Sequence, residues 1–327
     1  MKADMLVFSG STHPRLASAI ATRLAQPLGG SNILKFSNEN IMVRVEENVR
    51  EKDVFVVQTS SHPVNDSLVE LLLFLDAVKY ASAARVTAVL PYFPYGRSDK
   101  KDEPRISIAA RLMADLLETA GANRVLTMDL HAPQIQGFFR IPVDQLRAAP
   151  IFFDYFNRVL FQEQAKDDFV LVMGDHGAAK KFDYYFDELR LPVAVLDKFR
   201  LDHTEQPVIR QIIGDVRGKA ALIIDDEVAS AGTMVEAARV LIEAGARRVL
   251  AVAVHPILSG NAVNKLLDSP IERLILGNTV PVLEKIRGHE DRFVVLDMAP
   301  LFARAIECIH NGGSMSELFP SSLRRKA

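Results

Sequence analysis

Two adjacent aspartates, Asp225 and Asp226, end an apolar run in the stretch LIIDDEVASAGTMVEAARVL, residues 222–241. The apolar run predicts a buried strand, and the pattern that begins near Thr233 predicts a helix. Between them lies a segment of small residues, here called the 229–233 loop, whose backbone N–H groups can turn towards a ligand. Such amides bind phosphate together with a helix N-terminus. Carboxylates beside a phosphate site indicate a sugar phosphate as the ligand, because they would bind its hydroxyls or a hydrated Mg²⁺. An ordinary strand–turn–helix with surface acids is the alternative.

Other polar groups also stand where predicted strands end. His131 follows the predicted strand 124–130, and Asp175 ends the predicted strand 169–175. Ligands of open α/β sheets collect at the carboxyl ends of strands, so both are candidates for a site. A histidine at a strand end is by itself more often a packed polar group than a metal ligand. The basic segment DKFR, residues 197–200, is by itself more typical of a surface turn than of a functional site.

These groups need a scaffold of strands and helices to position them. Continuous apolar runs separated by helical patterns predict parallel sheets covered on both faces. The predicted strands are 5–8, 53–59, 85–93, 124–130, 169–175, 192–197, 220–226, 248–255 and 293–298. The predicted helices are 14–26, 65–81, 107–120, 233–244 and 261–267.

The chain also resembles itself. GANRVLTMDLH (121–131) and GARRVLAVAVH (245–255) share a glycine, the pair Val-Leu and a final histidine, and each follows a helical pattern. Chance likeness of two helix–Gly–strand units is one explanation, since glycine commonly ends a helix. Two similar α/β halves are the other. On the second explanation we expect domains at 1–148 and 149–305, with a tail, 306–327, that packs back on the first domain.

Composition limits the classes of function. The 327 residues include 39 basic and 41 acidic ones, a formal net charge of −2. This balance gives no global argument for binding nucleic acid or a membrane, and we expect neither partner. The single cysteine, Cys308, excludes an internal disulfide framework and is typical of a reducing compartment. The N-terminal MKADMLVFSG has only a short apolar run, unlike a signal peptide or membrane span, so we expect a cytoplasmic protein.

Several motifs carry a resemblance to a known family. LIIDDEVASAGT resembles the phosphoribosyl pyrophosphate loop of type I phosphoribosyltransferases and ribose-phosphate pyrophosphokinases. The other motifs that resemble the pyrophosphokinase family are FSGSTHPRLA (8–17), VNDSLVELL (64–72), PYFPYGRSDKKDEPR (91–105), VLTMDLHAPQIQGFFRIPVD (125–144), VAVLDKFR (193–200), HPILSGNAV (255–263) and HNGGSMSELF (310–319). The resemblance covers essentially the whole chain in order. It implies an α/β fold of two similar Rossmann-like domains of the type I phosphoribosyltransferase kind, each a mostly parallel sheet flanked by helices.

The resemblance implies a reaction in which the β,γ-diphosphoryl group of ATP passes, with Mg²⁺ bound, to the C1 hydroxyl of ribose 5-phosphate. It assigns catalysis to Lys198 and Arg200 in a mobile loop after the strand 192–197. It assigns ATP binding to Phe36, Asn38, Asn40, Arg97, Ser98, Lys100 and His131. The residues that it assigns to ribose 5-phosphate binding are Asp175, Asp225, Asp226, Ala229, Ser230, Ala231, Gly232 and Thr233. The residues that it assigns to metal binding are His131 and Asp175.

The same resemblance implies an assembly and a regulatory site. In the family, the aromatic residue that matches Phe36 reaches the adjacent subunit's active site, which implies a homo-oligomer, with dimers assembling to a hexamer. Arg50, Ser314 and Ser316 match a site where phosphate activates and ADP inhibits.

The chain departs from the family's pattern at several of these positions. Ala229 stands where the family's loop usually has a third acid, with Ser230 next to it; Asn40 replaces an acid of the adenine pocket, and Ser98 replaces a glutamine. These departures favour an alternative function, a non-catalytic subunit that regulates true synthetases. The enzyme is favoured because the chain retains the acids, His131 and the two cations of the mobile loop, Lys198 and Arg200. A phosphoribosyltransferase is a third possibility, which the match along the whole chain disfavours.

Overall fold

The computed structural model of the protein describes residues 3–199 and 208–319. In chain order, the strands and helices are β1 (Met5–Ser9), α1 (Pro14–Arg23), β2 (Ser31–Lys35), β3 (Ile41–Val45), β4 (Asp53–Val57), α2 (Val64–Tyr80), β5 (Arg85–Leu90), α3 (Ala109–Ala120), β6 (Arg124–Met128), β7 (Val143–Leu146), α4 (Ala149–Tyr155), α5 (Phe161–Glu163), β8 (Phe169–Met173), α6 (His176–Lys181), α7 (Asp183–Leu189), β9 (Val193–Phe199), β10 (Val208–Ile213), β11 (Ala220–Val228), α8 (Gly232–Glu243), β12 (Arg248–Pro256), α9 (Ala262–Leu267), β13 (Ile271–Gly277), β14 (Phe293–Leu296) and α10 (Ala299–Asn311).

The chain divides into two compact units. Unit 1 holds the described residues up to Arg147, together with 279–281 and 298–318; unit 2 holds the described residues among 148–278, 282–297 and Phe319. Residues 279–281 and 298–305, expected in the second domain, lie in unit 1, and Ala148, expected in the first, lies in unit 2. For residues 298–305 the reason is packing, because α10 lies against α1.

Unit 1 is built on a parallel sheet in the order β1-β4-β5-β6-β7. Its central strands β4 and β5 are buried almost from end to end, as expected for strands with helices on both faces. Helices α2 and α3 supply Phe74 and Leu117, both fully buried, to the core that forms against β4 and β5. The antiparallel hairpin of β2 and β3 forms a small separate sheet.

Unit 2 is built on a sheet in the order β10-β9-β8-β11-β12-β13-β14, in which the edge strand β10 alone runs antiparallel to its neighbour among the described strands. From β8 the chain continues to β9 on one side, and from β11 it continues to β12 on the other. The strand order therefore reverses between β8 and β11. In open α/β sheets this reversal opens a crevice at the carboxyl ends of the strands, where ligands bind.

The internal likeness corresponds to a shared piece of structure. In unit 1, α3 is followed by Gly121 and β6; in unit 2, α8 is followed by Gly245 and β12. Both glycines have positive φ, +117° and +92°, which a residue with a side chain seldom adopts. The predicted fold, two similar α/β domains with mostly parallel sheets flanked by helices, is confirmed. Among the helices of the described ranges, none has the length and hydropathy required to cross a bilayer.

Candidate active site

The two adjacent aspartates lie near the end of β11, which runs two residues further than predicted, to Val228. Successive side chains of a strand point to opposite faces of the sheet, so the two acids have different surroundings. The Asp226 side chain is only 7% exposed, and its carboxylate forms an ion pair of 3.0 Å with Lys181 of α6. Asp225 is partly buried, and its carboxylate accepts a hydrogen bond of 2.9 Å from the Asp226 backbone N–H. The lysine thus balances the charge of one acid of the pair.

The 229–233 loop joins β11 to α8, which begins at Gly232, one residue before the predicted start. Ala231 is buried and adopts a left-handed conformation with φ +63°, while Ser230 and Thr233 are exposed. The first N–H groups of a helix have no partner within the helix, and the helix dipole adds positive potential at the same end. The loop and the first turn of α8 therefore form a setting that suits an anion at the carboxyl end of β11.

Asp175 follows β8, the strand that pairs with β11 at the point of reversal, where Met173 lies opposite Ile224. Its carboxylate is exposed and accepts a hydrogen bond of 2.7 Å from the Ala178 backbone N–H at the start of α6. Asp175, just after β8, and Asp225, near the end of β11, therefore lie at the carboxyl ends of neighbouring strands. The structure brings these two sequence-predicted acids together with the 229–233 loop.

Lys198, one of the two predicted catalytic cations, lies at the end of β9. The strand extends to Phe199 and pairs with β10, with Lys198 opposite Ile209. The prediction that Lys198 follows the strand within a loop is therefore wrong for its backbone, because pairing with β10, a strand the sequence did not predict, prolongs β9. The Lys198 side chain and all of Arg200 lie outside the described residues.

In unit 1, Arg97 and His131 lie on loops that follow the neighbouring strands β5 and β6. Both side chains are exposed. The two loops are in contact, since a β-carbon added at Gly96 would be 3.6 Å from Cβ of His131. Ser98 is partly buried, its N–H donates to the Tyr95 carbonyl at 2.9 Å, and Lys100 is exposed. The structure thus brings Arg97 and His131 together at the carboxyl edge of the unit 1 sheet.

Phe36 lies at the turn of the β2–β3 hairpin. The turn is closed by a hydrogen bond of 2.8 Å from the Phe36 N–H to the Asn40 carbonyl, and the Asn40 N–H donates to Asn38 Oδ1 at 3.2 Å. The Phe36 side chain is 45% exposed, and Leu34 and Met42, which pair across the hairpin, are also exposed. Phe36 is presented outwards on a sheet separate from the one that carries Arg97 and His131.

The residues of the expected regulatory site all belong to unit 1. Ser314 and Ser316 lie together after α10, with 2.7 Å between their hydroxyl oxygens. Arg50 donates to the Ser82 hydroxyl at 3.3 Å. Helix α10 is fixed to the sheet through Asp53, whose carboxylate lies 2.8 Å from Nδ1 of His310.

Among the side chains that the structure describes, no group of three or more His, Cys, Asp or Glu is able to enclose a metal. Magnesium does not require such a cage when a nucleotide is its partner. It commonly keeps several waters and binds one or two carboxylates together with substrate phosphates. An exposed carboxylate such as Asp175 fits this mode of binding.

Lys181 was missed by the sequence analysis. It stands on α6, far from the acids along the chain, in a segment whose charges are equally typical of a solvated helix. Only the pairing of β8 with β11 brings the helix that follows β8 to the end of β11.

Comparison with known proteins agrees with these features. Residues 5–121 match the N-terminal domain of ribose phosphate pyrophosphokinase, and residues 199–320 match the phosphoribosyl synthetase-associated domain.

The ribose-phosphate pyrophosphokinase of Caldanaerobacter subterraneus subsp. tengcongensis is 45% identical over 316 residues, 97% of this chain and 98% of that protein. That of Deinococcus radiodurans is 46% identical over 320 residues, again 97% and 98%. The crystal structure of phosphoribosylpyrophosphate synthetase from Mycobacterium smegmatis superposes with a TM-score of 0.87 at 38% identity, covering 95% of this chain and 100% of that one. The chain belongs to the ribose-phosphate pyrophosphokinase family.

Proposed function

We propose that the protein transfers the β,γ-diphosphoryl group of ATP to the C1 hydroxyl of ribose 5-phosphate. The oxygen of that hydroxyl forms a bond to the β-phosphorus, the bond from the β-phosphorus to the α,β-bridging oxygen breaks, and the hydroxyl loses its proton. The products are 5-phosphoribosyl 1-diphosphate and AMP. The observation that supports this function best is the acid pair and the 229–233 loop at the point where the strand order of unit 2 reverses.

The sugar phosphate is proposed to bind to unit 2. Its 5-phosphate would accept hydrogen bonds from the amides of the 229–233 loop and the first turn of α8. Asp225, Asp226 and Asp175 would accept hydrogen bonds from the ribose hydroxyls. The ion pair of Asp226 with Lys181 reduces the repulsion between these acids and the bound phosphate. This charge balance explains how two carboxylates and an anionic ligand share one strand end.

The nucleotide is proposed to bind to unit 1. Arg97 and His131, on two loops in contact, would bind the triphosphate, with Ser98 and Lys100 beside them. Phe36 would stack on the adenine of a neighbouring subunit, and Asn38 and Asn40 would supply polar contacts. The outward position of Phe36 supports a homo-oligomer. We propose that dimers assemble to a hexamer.

Mg²⁺ is the proposed metal. His131 would hold it on the side of the nucleotide, and Asp175 on the side of the ribose, directly or through water. When bound with ATP, Mg²⁺ would neutralise negative charge on the phosphates, which phosphoryl transfer requires more than covalent help. Lys198 and Arg200 are the proposed cations that stabilise the charge developing on the β-phosphorus.

The non-catalytic regulatory subunit is not favoured, because the relatives that match nearly the whole chain carry the name of the enzyme. Ala229, Asn40 and Ser98 are therefore expected to adjust affinity rather than to abolish turnover. Phosphate activation and ADP inhibition through Arg50, Ser314 and Ser316 remain part of the proposal, supported by the two serines lying together. The cytoplasm, where ATP is available, is the proposed location.

The experiment that tests the function is AMP formation by the purified protein. We expect AMP in the presence of ATP, Mg²⁺ and ribose 5-phosphate, and none when any one of them is omitted. Asp225→Asn, which removes a charge at the strand end, is expected to lower AMP formation, whereas Arg158→Met on the exposed face of unit 2 serves as a matched control. ADP as the nucleotide product, or no product in the presence of saturating phosphate, would contradict the proposal.

A further inference from the structure

Two peptide units after β12 are held at both of their ends. The Leu258 N–H donates to the Val228 carbonyl at 3.0 Å, and the Ser259 N–H donates to the Ala229 carbonyl at 3.0 Å. The oxygens of the same two peptide units, the carbonyls of Ile257 and Leu258, accept hydrogen bonds from Nζ of Lys285, at 2.6 and 3.2 Å. One ammonium group is therefore connected, through two peptide units, to the residues at which the 229–233 loop leaves β11.

The turn that carries Lys285 is fixed by its neighbours. Val282 and Ile286 are buried in the core of unit 2, at 2% and 1% exposure, and the Lys285 N–H donates to the Val282 carbonyl at 2.9 Å. The lysine side chain is exposed along much of its length, while burial around its ammonium group lowers the pKa of Lys285. The ammonium group is thus a fixed donor rather than a freely moving surface charge.

The backbone that Lys285 holds is strained. Leu258 has φ +45° and Ala231 has φ +63°, both in the left-handed region that side chains disfavour. Such conformations persist only where surrounding contacts determine them. Hydrogen bonds in series polarise one another. A charged donor at the carbonyl oxygen of a peptide unit therefore strengthens the hydrogen bond that the N–H of the same peptide unit donates. Removing the ammonium group would loosen both contacts to Val228 and Ala229.

We propose that Lys285 is a positioning residue for the sugar phosphate, which fixes the origin of the 229–233 loop through the peptide units on either side of Leu258. This inference rests on the proposed function, because it takes ribose 5-phosphate as the ligand of the loop. Lys285 does not touch the substrate in this account. Its effect is therefore confined to binding of the sugar and does not extend to binding of the nucleotide.

The test compares three variants of the full chain. Lys285→Met keeps the length of the side chain and removes its donors, Lys285→Arg keeps donors and charge, and Lys265→Met on α9 is a matched control at an exposed lysine of the same unit. We expect Lys285→Met to raise the KM for ribose 5-phosphate roughly tenfold or more, from the low end of the scale for losing hydrogen bonds to a charged group upwards. The KM for ATP should change by less than about twofold, and Lys285→Arg should restore most of the loss. An unchanged KM for ribose 5-phosphate, or an equal rise in both KM values, would overturn the inference.

Amide hydrogen exchange, measured without substrate, separates this inference from the proposed function. We expect the Leu258 and Ser259 amides to exchange faster in Lys285→Met than in the wild type or in Lys265→Met. Equal rates in all three proteins would refute the positioning role. A wild-type protein that forms no AMP would refute the proposed function instead, while the exchange rates still decide whether Lys285 fixes the loop.

Discussion

The buried ion pair between Lys181 and Asp226 allows the most quantitative prediction. Its atoms are 3.0 Å apart, and the side chains are 11% and 7% exposed. At an effective dielectric constant of about 20, the attraction at this distance is about 5 kcal/mol, and desolvation of the two charges offsets much of it. Removing one partner of a buried pair costs about 3–5 kcal/mol, because the other charge stays buried without it. We expect Lys181→Met to lower the free energy of unfolding by about 3 kcal/mol, the low end of that range, because methionine keeps an unbranched apolar stem and removes only the ammonium group, which lies 5.3 Å from the centroid of the Phe182 ring.

The assay is urea unfolding followed by tyrosine fluorescence. The chain has no tryptophan, and Tyr184 and Tyr185, both buried on α7, report on this part of unit 2. With a slope of about 1–3 kcal/mol per molar urea, a loss of 3 kcal/mol lowers the midpoint by roughly 1–3 M.

The double variant Lys181→Met/Asp226→Asn removes both charges and should recover at least about 2 kcal/mol of the loss in Lys181→Met, since a buried pair replaced as a whole is often nearly neutral. Arg158→Met breaks an ion pair with Asp154 whose side chains are 77% and 55% exposed. It should cost less than about 1 kcal/mol. A midpoint for Lys181→Met equal to that of Arg158→Met, or a double variant no more stable than Lys181→Met, would refute the reasoning.

Three further predictions follow from unit 1. Phe36→Ala should raise the KM for ATP by roughly tenfold or more without changing thermal stability, because stacking on a base contributes about 1–3 kcal/mol. Steady-state kinetics at varied ATP would detect this rise. An unchanged KM would exclude Phe36 from the nucleotide site. Asp53→Ala should lower the free energy of unfolding by about 2–3 kcal/mol, since the Asp53 carboxylate accepts a hydrogen bond from Arg85 at 2.8 Å and lies 2.8 Å from Nδ1 of His310. Urea unfolding measures this loss. Unaltered amide exchange along α10 would contradict the anchoring of that helix by Asp53. Arg50→Ala should remove the dependence of turnover on inorganic phosphate, and a wild-type rate that does not respond to phosphate would remove the regulatory site from the account.

The sequence predicted most of the strands that are buried on both faces, although it missed β13. Strands such as β4, β5 and β12 are continuous apolar runs because helices cover both sides of the sheet, and this pattern is visible without a structure. The hairpin of β2 and β3 was missed, since neither SNILK nor IMVRV is a long apolar run or a strict alternation of apolar and polar residues. The packing of β3 on α2 joins segments that are about 20 or more residues apart in the chain, and periodicity does not report such contacts.

The candidate site was predictable in its residue types and not in its pairings. A strand end with two acids and a loop of small residues indicates a sugar-phosphate site from the sequence alone. The ion pair of Asp226 with Lys181 depends on which strands are neighbours, and the contact of Lys285 with the peptide units around Leu258 depends on two turns meeting. Neither follows from spacing along the chain.

The central claim is that the C1 hydroxyl of ribose 5-phosphate attacks the β-phosphorus of ATP. Ribose 5-phosphate labelled with ¹⁸O at C1 tests it directly, with the products observed by ³¹P NMR before the label exchanges with water. We predict that the label bridges C1 and the adjacent phosphorus of the new diphosphate, and that the nucleotide product is unlabelled AMP. Label in AMP, or ADP together with a sugar monophosphate ester at C1, would contradict the account.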